Sequence, residues 1–89
     1  MQYSVKDTQT IEYILFNKIG YIQEVEITYS NGTVITGFVQ SANPNYTPMK
    51  FSIYKNETPA GESPVHELNL GLLSRLLITY ANGTVDTFE

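Results

Sequence analysis

Cysteine is absent from the 89-residue chain, and histidine occurs once. Without cysteine there is no disulfide scaffold, no thiol nucleophile and no thiolate zinc site. The chain therefore suits a reducing compartment. One histidine without cysteine does not make a transition-metal site, and no motif calls for a cofactor. Long hydrophobic runs are missing as well: the longest, Ile14-Leu15-Phe16 and Leu76-Leu77-Ile78, fall far short of a membrane span. The opening Met1-Gln2-Tyr3-Ser4-Val5-Lys6-Asp7 lacks the basic-then-apolar pattern of a signal peptide. A cytoplasmic protein with no membrane contact is the expectation. Basic residues are scarce too, five against nine acidic ones for a net charge of −4. Lys6, Lys18, Lys50, Lys55 and Arg75 are scattered, which argues against a large phosphate-neutralising footprint.

What the chain does hold is aromatic and apolar. Seven Tyr, four Phe and an apolar content of 42% make a globular composition that favours strands. The length suits one domain, residues 1–89, with one modest core. Its strongest local signal is written twice: Thr28-Tyr29-Ser30-Asn31-Gly32-Thr33-Val34 returns as Thr79-Tyr80-Ala81-Asn82-Gly83-Thr84-Val85. Asn-Gly between alternating apolar residues predicts a tight hairpin, with both central residues at φ > 0 in a type I′ turn. The likeness fades outside those seven positions, so convergence on a good turn and duplication of a unit both remain readings of it.

In chain order, residues 1–7 read as a polar lead-in that adds a strand through Tyr3 and Val5. Ile11, Ile14, Leu15 and Ile19 fall at i, i+3, i+4 and i+8, predicting a helix over 8–19. Asp7 or Thr8 caps it, and Gly20 suits its C′ position. The same stretch is rich in strand formers, and a strand is the competing reading. Strands follow at about 21–30 and 33–40. A two-residue Asn31-Gly32 loop pairs Tyr29 with Val34, Ile27 with Thr36 and Val25 with Phe38 on one face, leaving Gly37 on the other as a bend or bulge. Polar loops at 41–48 and 55–64 bracket a strand at 49–54. A further strand at 65–70 leads through a turn or 3₁₀ step into a closing hairpin, 75–81 and 84–88. There Tyr80 pairs with Val85 and Leu77 with Phe88 on opposite faces, so the hairpin is expected to be covered on both sides or to meet a partner.

A helix, then Val25-Glu26-Ile27-Thr28-Tyr29-Ser30-Asn31-Gly32-Thr33-Val34-Ile35-Thr36-Gly37-Phe38-Val39, a short third strand, and His66-Glu67-Leu68-Asn69-Leu70 running into Leu76-Leu77-Ile78 make an order that resembles the Sm-like and SH3-like small β-barrels. The bacterial YolD-like and WYL-type modules are similar in pattern over residues 10–80. The resemblance implies a strongly bent five-stranded barrel behind an N-terminal helix, here ending in an extra β-hairpin. It also implies a binding role toward protein or nucleic acid, rings formed through edge strands in some members, and inhibitory roles in others. Ser41-Ala42-Asn43-Pro44 stands where an RNA-binding Sm protein has a base-contacting motif, and the closing hairpin extends past the usual end of the barrel.

Several constellations have plain explanations. His66 and Glu67 are strand neighbours on opposite faces and cannot form an acid–base dyad, so the histidine reads as structural or surface. Glu24 and Glu26 fit the wet face of an antiparallel sheet. Glu57, Glu62 and Glu67 read as solubilising charge. Asn31, Asn45, Asn56 and Asn82 each begin an Asn-x-Thr triplet, but two of these are hairpin turns and no secretory signal is present. Tyr46 differs, being a large aromatic among Asn, Thr and Pro with no core to fill. With Lys50, Phe51, Tyr54 and Lys55 it makes a candidate binding edge, and Leu77 and Phe88 add the two-sided hairpin. The expected function is a non-enzymatic protein-binding module, accessory or inhibitory, of bacterial or phage origin. A single-stranded nucleic-acid binder of Sm type, using those aromatics and lysines, and a self-assembling structural subunit that pairs edge strands are the alternatives.

Overall fold

The computed structural model describes residues 2–47, 49–56 and 61–89. Pro48, Glu57 and Pro59 of the two polar loops, and with them Glu57 and Thr58 of the Asn56 triplet, lie outside the described residues. After a short strand β1, Gln2–Tyr3, Asp7 starts the helix. Its Oδ1 accepts the Thr10 N–H at 3.2 Å and its Oδ2 the Thr10 hydroxyl at 2.6 Å, so the carboxylate satisfies a donor that a first turn leaves open. Helix α1, Thr8–Asn17, buries Ile11, Ile14 and Leu15 in the core. It stops two residues short of the expected end. The Lys18 N–H donates to the Ile14 carbonyl and the Tyr21 N–H to the Lys18 carbonyl, both at 2.9 Å, which tightens the chain into a 3₁₀ turn at Ile19–Tyr21. Gly20 sits inside that turn without a positive φ, not at a left-handed C′ position.

Strands β2 (Ile22–Tyr29), β3 (Val34–Asn43), β4 (Lys50–Tyr54) and β5 (His66–Glu67) follow. A 3₁₀ turn, Leu70–Leu72, leads into β6 (Leu73–Tyr80) and β7 (Val85–Phe88). The fifth strand is shorter than expected because the chain turns at Asn69, whose side chain accepts the Gly71 N–H at 3.1 Å. The strands form one seven-stranded sheet in the order β1-β7-β6-β2-β3-β4-β5. All pairings are antiparallel except β1 with β7. The sheet is mainly antiparallel and open, with β1 and β5 as its edges rather than a seam closed into a barrel.

Both Asn-Gly corners are hairpins, yet neither is the expected two-residue turn. The Gly32 N–H donates to the Tyr29 carbonyl and the Tyr29 N–H to the Thr33 carbonyl, each at 2.9 Å. Gly32 has φ +89°, and no residue other than glycine has a positive φ among those described. This is the three-residue loop in which a type I turn is followed by a left-handed glycine. The Asn31 Oδ1 accepts the Thr33 N–H at 3.0 Å, which holds the corner from inside. The second corner repeats it: Gly83 to Tyr80, Tyr80 to Thr84, φ +89° at Gly83, and Asn82 Oδ1 accepting from Thr84.

One extra loop residue shifts each register by one, and a one-residue shift turns every side chain of the returning strand over. Ile27 faces Ile35 and Val25 faces Gly37, so Ile35, Gly37 and Val39 point inward and Val34 is left 55% exposed. In the closing hairpin Leu76 faces Phe88 and Leu77 faces Thr87. Phe88 is therefore buried on the same side as Leu76, Ile78 and Tyr80, while Leu77 is half-buried on the open outer face beside Glu26. That outer face also carries Glu24, and the half-burial of Leu77 there leaves a partner, the second of the two expectations for this hairpin, as the way to cover it.

Gly37 lies on the core face, not opposite it. A Cβ there would stand 2.6 Å from the Tyr54 carbonyl oxygen and 2.7 Å from Ile53 Cγ2. Both atoms belong to β4, which folds over β3 at this point, and the β3–β4 register slips between Val39 and Ser41. The glycine thus marks the bend through close backbone approach. Gly37→Ala is expected to destabilise the fold by about 1–3 kcal/mol, because a backbone carbonyl cannot yield as a flexible side chain would. The urea midpoint measures this, with Gly20→Ala, which meets nothing within 4 Å, as the control.

Candidate binding site

Concave sites border the sheet among the described residues, and one of them was not anticipated by the sequence. It is a groove of about 570 Å³ lined by Tyr3, Lys18, Tyr21, Tyr80, Asp86 and the Ala81–Thr84 turn. Tyr3 is brought in by the parallel pairing of β1 with β7. The Glu89 N–H donates to the Tyr3 carbonyl and the Val5 N–H to the Glu89 carbonyl, both at 2.9 Å. One face of its ring stacks on Phe88 at 4.8 Å between centroids and 20° between planes. Tyr21 ends the 3₁₀ turn, and its carbonyl accepts the Ala81 N–H at 2.9 Å. That bond ties the turn to the second hairpin while the Tyr21 ring stays 71% exposed.

Tyr80 closes the floor of the groove. Its ring is buried, and its hydroxyl donates to Asp86 Oδ2 at 2.6 Å. Burial, then the hydrogen bond to Asp86 and the negative charge there, hold the Tyr80 phenol well above its ordinary range. Its proton is committed to Asp86, so Tyr80 enters the groove as a buried floor.

The candidate edge around Tyr46 is divided by the fold. Tyr46 and Lys50 do meet: the Lys50 ammonium stands 4.0 Å from the Tyr46 ring centroid. They line a smaller hollow of about 310 Å³ with Glu67, Leu68, Asn69 and Leu70. Lys50 is also 3.7 Å from Glu67 Oε1, so its charge is shared between a ring and a carboxylate. Phe51 alternates inward along β4 and is 0% exposed, and Phe88 is likewise 0% exposed. Neither offers a surface to a partner. Tyr54 lies four residues from Lys50, about 13 Å along the strand, paired with Phe38, and the exposed Lys55 follows it. Leu77 sits on the outer face. The seven expected residues therefore form no single surface.

His66 proves structural. Its Nε2 shares a hydrogen bond with the Tyr29 hydroxyl, which also accepts the Asn69 N–H at 3.1 Å. The pair fastens the short edge strand β5 and the turn after it to the end of β2. Burial raises the Tyr29 phenol above its ordinary range, and the Asn69 bond pulls it partly back.

Among the described residues, no group of three or more histidine and acidic side chains gathers as a metal site, and no helix is long and apolar enough to cross a membrane. No known family, curated protein or solved structure matches the chain.

Removing the Tyr29 hydroxyl with Tyr29→Phe leaves His66 and the Asn69 N–H without their partner. The expected loss is about 1–3 kcal/mol of stability, with faster amide exchange concentrated at residues 66–69. A second expectation concerns alkaline pH. Both phenols are raised in the folded state from the ordinary value of 10.0, so the fold retains protons that the unfolded chain releases. Their contribution is fully present below about pH 10 and is lost as pH rises further. Chemical denaturation at stepped alkaline pH should show stability falling above about pH 10, with a smaller fall in Tyr80→Phe.

Proposed function

We propose that the protein is a non-enzymatic protein-binding module, and that the Tyr3–Tyr21–Tyr80 groove is where it binds. The observation that carries this reading is the groove itself. Rigid amphipathic rings present contact area at low entropic cost, and its volume of about 570 Å³ lies within the range of formed binding sites.

Charge supports a protein over a nucleic acid. The net charge is −4, and of the five cations Lys50 is engaged by Glu67 and Arg75 by Glu89, at 3.7 and 3.3 Å. Little positive charge is left to follow a phosphate backbone. The strand order β6-β2-β3-β4-β5, preceded by α1 and with a 3₁₀ step before β6, supports an Sm-like or SH3-like plan to which β1 and β7 are additions. An accessory or inhibitory role follows from that resemblance.

Affinity capture from nuclease-treated bacterial lysate, run in parallel with wild type and Tyr21→Ser, tests the proposal. The expected result is a stoichiometric protein, retained in high salt by wild type and lost by the variant. Recovery of salt-sensitive nucleic acid alone, equal for both forms, overturns it in favour of the nucleic-acid reading.

A further inference from the structure

We infer that residues 18–36 and 69–87 are two copies of one unit, and that the central sheet is a two-fold dimer of that unit carried within a single chain. This holds whatever the groove binds.

The two Asn-Gly strings stand 51 residues apart, as Thr28 is from Thr79, and the same interval relates the structure well beyond the corners. Ile19-Gly20-Tyr21 and Leu70-Gly71-Leu72 are both 3₁₀ turns. The Tyr21 N–H donates to the Lys18 carbonyl in the first, and the Leu72 N–H to the Asn69 carbonyl in the second. Each turn leads straight into an eight-residue strand, β2 or β6. Along β2, Val25, Ile27 and Tyr29 are buried, with Glu26 and Thr28 half-buried between them; along β6, Leu76, Ile78 and Tyr80 are buried, with Leu77 and Thr79 half-buried. Both strands end in the same three-residue loop, with φ +89° at Gly32 and at Gly83.

The pairing of β2 with β6 obeys that interval in both directions, as a two-fold axis requires. Val25 faces Ile78 and Ile27 faces Leu76; Glu24 faces Thr79 and Thr28 faces Arg75; Ile22 faces Tyr80 and Tyr29 faces Leu73. In each case one pair becomes the other when the copies are interchanged. Glu26 faces Leu77, a pair that maps onto itself, so the axis passes between them. The register slips twice, once past Gln23 and once past Ser74, which are counterparts. The Ala81 N–H donates to the Tyr21 carbonyl and the Ser30 N–H to the Leu72 carbonyl, each at 2.9 Å, the same bond read from either copy. Convergence on a good turn accounts for the corners alone. A self-complementary unit accounts for the turns, bulges and crossing hydrogen bonds together. The unlike residues at the axis set the choice of partner. Two first copies would place Glu26 against Glu26, a like-charge pair, which Glu26 against Leu77 avoids.

Ile27 and Ile78 are identical counterparts, as are Tyr29 and Tyr80. Exchanging the other seam residues between copies therefore turns one set of contacts about the axis without changing it. The test measures urea unfolding of the full chain carrying Ile22→Leu and Val25→Leu, of one carrying Leu73→Ile and Leu76→Val, and of the chain with all four. Each half set changes the volume packed across the seam and is expected to raise the unfolding equilibrium constant about tenfold. All four together are expected to cost less than either half, within about threefold of wild type. A full exchange as destabilised as either half, or more so, overturns the inference. The chain has no cysteine of its own, so counterpart pairs can also be cross-linked. Glu24→Cys with Thr79→Cys, and Thr28→Cys with Arg75→Cys, are both expected to close on mild oxidation. Closure of one pair without the other, or of neither, overturns it as well.

Discussion

A single backbone hydrogen bond, from the Gly32 N–H to the Tyr29 carbonyl, decides which half of β3 is inside. It closes a loop of three residues and not two, and only a residue free to adopt a left-handed φ completes that loop. Everything downstream follows from the parity so set. Ile35 and Val39 turn toward α1, Val34 turns to water, and Gly37 arrives where β4 folds over. At that position a side chain of even one carbon would stand 2.6 Å from the Tyr54 carbonyl oxygen. The turn, the bend and the core are one constraint met at three positions.

Much of this was legible from the chain. Helix α1 could be read from its apolar spacing and from Asp7, because a cap and a stripe are local. Both corners were legible for the same reason, since Asn and Gly have few other uses between strands. The registers were not. Asn-Gly serves two-residue and three-residue loops alike, and the choice rests on how the strands twist into their neighbours, which is a tertiary property. His66 was read as structural or surface, and the choice between the two was out of reach because its partner Tyr29 lies far off in sequence and no spacing rule joins them. Phe51 and Phe88 were misplaced on the surface. For Phe88 the cause was the register itself. For Phe51 it was the pull of nearby Tyr46 and Lys50, when simple alternation with Ile53 would have put it in the core.

The two hollows differ in what they leave available. At Tyr46 the attraction between ring and cation is satisfied within the chain, since Lys50 faces both Tyr46 and Glu67. An exposed pair of that kind contributes little to stability, yet a partner must displace it before gaining anything. At Tyr21 the hydrogen bond from the Ala81 N–H holds the backbone, while the ring stays 71% exposed. Preorganised surface is what recognition uses. Signals for this groove existed in Tyr3, Tyr21 and Tyr80, but they come from the lead-in strand, a 3₁₀ turn and the last hairpin. Only the parallel pairing of β1 with β7 gathers them.

That pairing joins segments from nearly opposite ends of the chain, Gln2 with Thr87 and Tyr3 with Phe88. Contacts so distant in sequence close late. Tyr3 finds a strand to lie against only once β7 is paired on β6. The wall that Tyr3 gives the groove is thus the first to loosen when that hairpin frays and the last to be set when it forms.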